Sequence, residues 1–104
     1  MNLRKKFYES VHKQPYGTED IVLVKDIIIP FKFHNKCPKY WKINRAIEFY
    51  REHNYIDKPI SVVKIPNEKS GECKYLLTDE YTRYLTIRSQ SKAFTPVKYI
   101  DILQ

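Results

Sequence analysis

The residues best equipped for chemistry lie in "YLLTDEYTRYLTIRS" (residues 75–89), where an apolar run passes through Asp79 and Glu80 and then meets Arg83. Two carboxylates and an arginine at a strand-to-helix junction allow two opposite kinds of site. Arg83 suits a phosphate, because a helix start presents unpaired N–H groups and the positive end of the helix dipole. Asp79 and Glu80 suit that same positive end, and either one can pair with Arg83 inside the molecule. The ion pair with Asp79 or Glu80 is the favoured reading, and it closes the site to phosphate.

Other reactive groups are sparse. Cys37 and Cys73 fall in different segments, and His12, His34 and His53 are scattered. A structural zinc needs about four ligands at recognisable spacing, so no metal and no cofactor are expected, and the thiols read as buried or incidental. With only two glycines, the chain has no glycine-rich phosphate loop. "TED" at residues 18–20 reads as a turn.

Charge says more. Nineteen lysines and arginines against twelve acids leave a net charge of +7 on 104 residues, a field that attracts polyanions. The cations fall in three groups: Arg4, Lys5, Lys6 and Lys13 near the start; Lys32, Lys36, Lys39, Lys42, Arg45 and Arg51 in the middle; and Lys64, Lys69 and Lys74 in a later hairpin. Between residues 32 and 58, seven basic residues face three acids. Phe33, Tyr40 and Trp41 interleave with the central lysines, a mixture that neutralises phosphates and stacks bases in nucleic-acid binders. Taken alone, Trp41 is expected in the core; the lysines as a set point to nucleic acid.

The elements that position these groups follow from periodicity. Leu3, Phe7 and Val11 make a narrow stripe for a helix over residues 2–12, broken by Pro15 and Gly17. Residues 21–29, "IVLVKDIII", read as one continuous strand ended by Pro30. After a loop through Pro38, Ile43, Ala46, Ile47 and Tyr50 line a helix that ends near His53-Asn54. "KPISVVKIP" and "CKYLLTD" form two strands joined by a loop containing Asn67 and Gly71. Thr78 or Asp79 is expected to cap the following helix, whose inner face is Tyr81, Tyr84, Leu85 and the stem of Arg88. Residues 94–103 make the last strand.

The result is a single small α+β domain over residues 1–104, in the order α-β-α-β-β-α-β: a basic helix or arm at 1–17, then a core at 21–103. No apolar run reaches the roughly 20 residues that span a bilayer, and the start carries no apolar stretch of a secretory signal. A cytoplasmic protein without a membrane partner is expected.

This order, with "VKDIIIP", "HNYIDKPISVV" and "YLLTDEYTRYLTIRSQSKAFTPVKYI", resembles the ParB/sulfiredoxin-like domain family across residues 21–102. The resemblance implies a phosphate motif in which glycine, two residues and arginine open a helix. Arg83 matches the arginine, but Glu80 stands at the glycine and would both block close backbone approach and repel a phosphate. Tyr81 and Thr82 occupy the positions between them, so the cysteine of sulfiredoxins is missing. Asp79, Glu80 and Arg83 therefore read as a vestigial phosphate site.

A winged helix-turn-helix is the alternative fold. In it the hairpin is the wing, and "KYWKINRAIEFYREHN" carries the recognition helix, with Lys39, Lys42 and Arg45 reading bases. Both folds lead to the same expectation: a non-enzymatic, duplex-DNA-binding accessory protein, plausible for a plasmid or mobile element in partition, conjugative transfer or transcriptional control. Its expected partners are double-stranded DNA, a second copy in a homodimer, and other proteins of a plasmid nucleoprotein complex. The alternatives are a nucleotide-dependent enzyme (a CTPase or kinase) of the ParB/sulfiredoxin-like fold, and a protein-interaction adaptor.

Overall fold

A computed structural model describes residues 13–67 and 69–101. The helix expected at 2–12, with Arg4, Lys5 and Lys6, lies outside the described residues, as do the last positions of the expected final strand.

Five strands form one mixed sheet in the order β1-β5-β3-β4-β2. They are β1 (Asp20–Leu23), β2 (Ile27–Ile28), β3 (Ile60–Pro66), β4 (Cys73–Asp79) and β5 (Phe94–Tyr99). The β1–β5 and β3–β4 pairs are antiparallel, while β3–β5 and β2–β4 are parallel.

The run at residues 21–29 is not one strand. A three-residue 3-10 turn, Val24–Asp26, divides it, and its halves lie on opposite edges of the sheet. The four steps from Leu23 to Ile27 reach about 14 Å at most, whereas four strand spacings across a flat sheet need about 19 Å. The sheet must therefore curl until its edges approach. The continuous β-branched pattern hid this break, because buried apolar residues continue on both sides of it: Ile21, Val22, Val24 and Ile27 are all buried.

The hairpin is as expected. Gly71 adopts φ 73°, its N–H donates to the Asn67 carbonyl at 2.9 Å, and the Asn67 N–H donates to the Glu72 carbonyl at 2.7 Å. Register slips between Ser61 and Val62, and the Thr78 hydroxyl donates to the Ser61 carbonyl at 3.1 Å beside the irregularity.

Among the described residues three helices follow Pro30. Helix α1 (Phe31–His34) is a single turn inside the segment expected as loop. Helix α2 (Tyr40–His53) ends at Asn54, whose left-handed φ of 66° and N–H to the Tyr50 carbonyl at 2.7 Å fulfil the expected C-cap. Helix α3 (Tyr81–Ser89) buries Thr82, Tyr84, Thr86 and Ile87, while Tyr81 and Leu85 are only half-buried and Arg88 is exposed. Its inner face is thus rotated from the expected one. Threonine is tolerated there because the Thr86 hydroxyl donates to the Thr82 carbonyl at 2.9 Å.

The core gathers Val22, Ile27, Phe33, Tyr50, Ile56, Ile60, Val62, Leu77, Tyr84, Ile87 and Val97. Each of the fully buried aliphatic side chains contributes about 1.5–3 kcal/mol relative to exposure. At the far edge, the Tyr99 hydroxyl donates to Asp20, and burial with that bond pushes the phenol well above its ordinary pKa. No helix among the described residues is long and apolar enough to cross a membrane.

Candidate functional site

The chain turns from β4 into α3 through a left-handed residue that is not glycine. Glu80 holds φ 70° and ψ 40°, a conformation that costs a side-chain-bearing residue about 1–2 kcal/mol. Its N–H is held by Asp79 Oδ1 at 2.7 Å, and its carbonyl accepts the N–H groups of Arg83 and Tyr84 at 3.0 and 3.1 Å. Neither Thr78 nor Asp79 caps the helix: Glu80 is the N-cap residue, and it makes no side-chain cap bond. The strained turn leaves the Glu80 carboxylate free to point back over the helix start.

Arg83 meets it there. The guanidinium donates Nε to Asp57 Oδ1 at 2.9 Å and Nη2 to Asp57 Oδ2 at 2.8 Å, a bidentate fork, while Nη1 lies 3.2 Å from Glu80 Oε2. All three side chains are mostly sheltered from water. The Arg83 hydrogen bonds hold the Asp57 carboxyl below its ordinary 3.8 despite burial. The same pairing raises the Arg83 guanidinium above its ordinary pKa. The expected internal ion pair exists with Glu80, but its stronger half is with Asp57.

These three residues floor a cleft of about 880 Å³. One wall is basic: Lys36 and Lys39 from the connection after α1, then Lys42 and Arg45 from the first turns of α2. The segment before β3 and the β4–α3 turn bring Asp57, Lys58, Asp79, Glu80 and Arg83 to the same cleft. Phe33, Trp41, Phe49 and Tyr81 supply apolar surface, and the Phe33 and Tyr81 rings sit 5.0 Å apart. Six cations and three carboxylates line the cleft, so it is net positive.

Lys36, Lys39, Lys42 and Arg45 of the expected central basic group are therefore brought together with the expected phosphate motif, whereas Lys32 and Arg51 do not line the cleft. Lys13, Lys64, Lys69 and Lys74 do not line this cleft; Lys74 instead pairs with Asp26 at 3.0 Å, and Lys64 lies 6.0 Å from the Tyr99 ring. Trp41 is not core. It is 52% exposed and carries Lys42 and Arg45 at 5.6 and 5.9 Å from its ring. Cys37 is exposed on the cleft and Cys73 half-buried, both as free thiols. Among the described residues no group of three or more His, Cys, Asp or Glu side chains is placed to hold a metal ion.

Asp57 counts in the sequence only as one of the three acids of 32–58, and Lys58 only as one of its seven basic residues; nothing local marks either as a site residue. Hairpin register is the signal that finds them. Because β3 and β4 are antiparallel, with Ser61 opposite Asp79, whatever precedes β3 must lie beside whatever follows β4.

No protein-family model and no curated protein matches the chain. Solved structures do. A conserved hypothetical protein from Pyrococcus furiosus aligns with a TM-score of 0.62 at 14% identity, over 90% of this chain and 36% of that one. A variant of a free serine kinase in complex with ADP gives 0.60 at 17%, over 90% and 38%. Sulfiredoxin from Arabidopsis thaliana gives 0.59 at 16%, over 80% and 86%. The chain thus has the ParB/sulfiredoxin-like fold, and the winged-helix alternative is not favoured. It spans little more than a third of the first two structures' length.

These likenesses correct one expectation. A non-enzymatic protein was expected from the missing glycine and cysteine, but the kinase and the sulfiredoxin that share the fold are enzymes. The fold is one that can carry catalysis, and the loss of two motif residues does not argue the chain out of it. None of the three structures named above points to DNA binding or to a plasmid role.

Proposed function

We propose that the chain is a nucleotide-dependent enzyme domain whose cleft takes a nucleoside phosphate and passes its terminal phosphoryl group to a small hydroxyl-bearing acceptor. The observation that carries this is a net positive cleft that brings Lys36, Lys39, Lys42 and Arg45 together with Asp57, Asp79, Glu80 and Arg83. Support comes from a shared fold with a free serine kinase in complex with ADP and with AMP.

Phosphoryl transfer asks little covalent chemistry of a protein; charge neutralisation and positioning supply most of the acceleration. The basic wall neutralises the phosphate chain. The bond from the terminal phosphorus to its bridging oxygen breaks, and a new one forms to the acceptor oxygen. The acceptor's proton passes to a carboxylate of the cleft, with Asp79 and Glu80 the candidates because Asp57 already serves Arg83 with both oxygens. The exposed Trp41 face suits the base.

Calorimetry with ATP, CTP, ADP and AMP, with and without magnesium, tests the binding step. Transfer of labelled terminal phosphate to serine and other small hydroxyl compounds tests the chemistry. Binding in the micromolar range that falls tenfold or more in a Lys42→Ala, Arg45→Ala variant is expected. No heat with any nucleotide at millimolar concentration overturns the reading.

A further inference from the structure

We propose that the surface running from α1 into the first turns of α2 docks single-stranded nucleic acid. Two observations coincide on it. From residue 27 to residue 47 there is no acid, while Lys32, Lys36, Lys39, Lys42 and Arg45 all fall within that stretch. Three large rings on it stand in water: Phe31 is 75% exposed, Tyr40 79% and Trp41 52%.

Each observation excludes a blander use. Cations serving solubility alone need no aromatic neighbours, and rings serving the core would be buried. Exposed rings among cations match the chemistry of a single strand, whose phosphates need neutralising and whose unstacked bases offer faces to stack on. A duplex hides those faces. Its groove also calls for a helix presented convexly, whereas Lys42 and Arg45 of α2 form the wall of a concave cleft. Charge and shape together therefore select a single strand over duplex DNA.

This inference goes beyond the nucleotide reading and does not need it, because Phe31 and Tyr40 do not line the cleft. Trp41, the only tryptophan, gives a direct readout on the surface itself.

The test titrates the protein with short oligothymidylate, oligouridylate, a mixed-sequence duplex of equal length and polyglutamate, following anisotropy and Trp41 fluorescence. Both single strands should quench Trp41 and bind tenfold or more tighter than the duplex. Their log affinity should fall with log salt at a slope of about −3, as four or five neutralised phosphates require. Phe31→Ala with Tyr40→Ala should weaken strand binding tenfold or more, given roughly five- to hundredfold per stacked base, while leaving ADP affinity unchanged. Duplex or polyglutamate binding as tight as the single strands, an undiminished affinity in the double variant, or no binding of any strand overturns the proposal. ADP binding in the same samples reports separately on the nucleotide reading.

Discussion

Arg83 and Asp57 stand 26 residues apart in sequence and face each other through two parallel hydrogen bonds of 2.9 and 2.8 Å. The fork ties the segment before β3 to the first turn of α3. It also occupies the Nε and Nη2 edge of the guanidinium, while Nη1 lies against Glu80. Arg83 is fixed by one acid and guarded by another.

Removing the fixed partner should be felt in stability. Asp57→Ala leaves a half-buried guanidinium with Glu80 alone, and truncating one member of such a pair costs about 1–3 kcal/mol. Urea unfolding of wild type and variant measures it. A loss below a few tenths of a kcal/mol would show that water replaces the fork freely.

The same pair sets a pH dependence. Asp57 has a folded pKa below its ordinary 3.8, so its contribution is present above that value and is lost as pH falls through the folded pKa. The stability gap between wild type and Asp57→Asn should therefore be level from about pH 5 upward and shrink below about pH 4. A gap that closes near neutrality would locate the effect in another group. Arg83 contributes no dependence there, because its pKa is raised above an already strongly basic ordinary value.

Much of this site was legible in order and not in space. The strand-turn-helix at Asp79, Glu80 and Arg83 could be read because a β-branched run met helix-start acids, and Asn54 because a C-cap leaves a local signature. The split of the 21–29 run could not: buried apolar residues continue through it, and what separates its halves is which neighbour each pairs with, a long-range fact. Trp41 misled because an isolated tryptophan is usually core, and only the turn of α2 shows its ring on the cleft. Asp57 needed the β3–β4 register. The rotation of α3 was missed because threonines at 82 and 86 read as polar, although Thr86 satisfies its hydroxyl on its own helix.

Glu80 separates strain from charge. At φ 70°, glycine relieves the left-handed cost and alanine does not, although both remove the carboxylate from Arg83. Glu80→Gly should thus be more stable than Glu80→Ala by about 1 kcal/mol. Both variants should bind ADP more tightly than wild type, since Nη1 of Arg83 is released toward the cleft. Thermal unfolding and calorimetry on the pair check it. Equal stability would mean the turn relaxes without cost, and equal ADP affinity in all three proteins would mean the Glu80 carboxylate does not guard the site.

The two described basic regions should separate by function as they do in space. Lys64, Lys69 and Lys74 belong to the hairpin, where Lys74 pairs with Asp26 and none of the three lines the cleft. Replacing all three with alanine should leave ADP affinity within about twofold, because charges beyond a Debye length of roughly 8 Å are screened at physiological salt. The Lys74–Asp26 pair is exposed on its lysine side, so its loss should cost at most about 1 kcal/mol. Lys42→Ala with Arg45→Ala, by contrast, strips cations from the cleft wall and should lower ADP affinity tenfold or more. Calorimetry on the triple and double variants at the same ionic strength decides between them. A hairpin triple that loses nucleotide while the double variant keeps it would move the anion site off the cleft altogether.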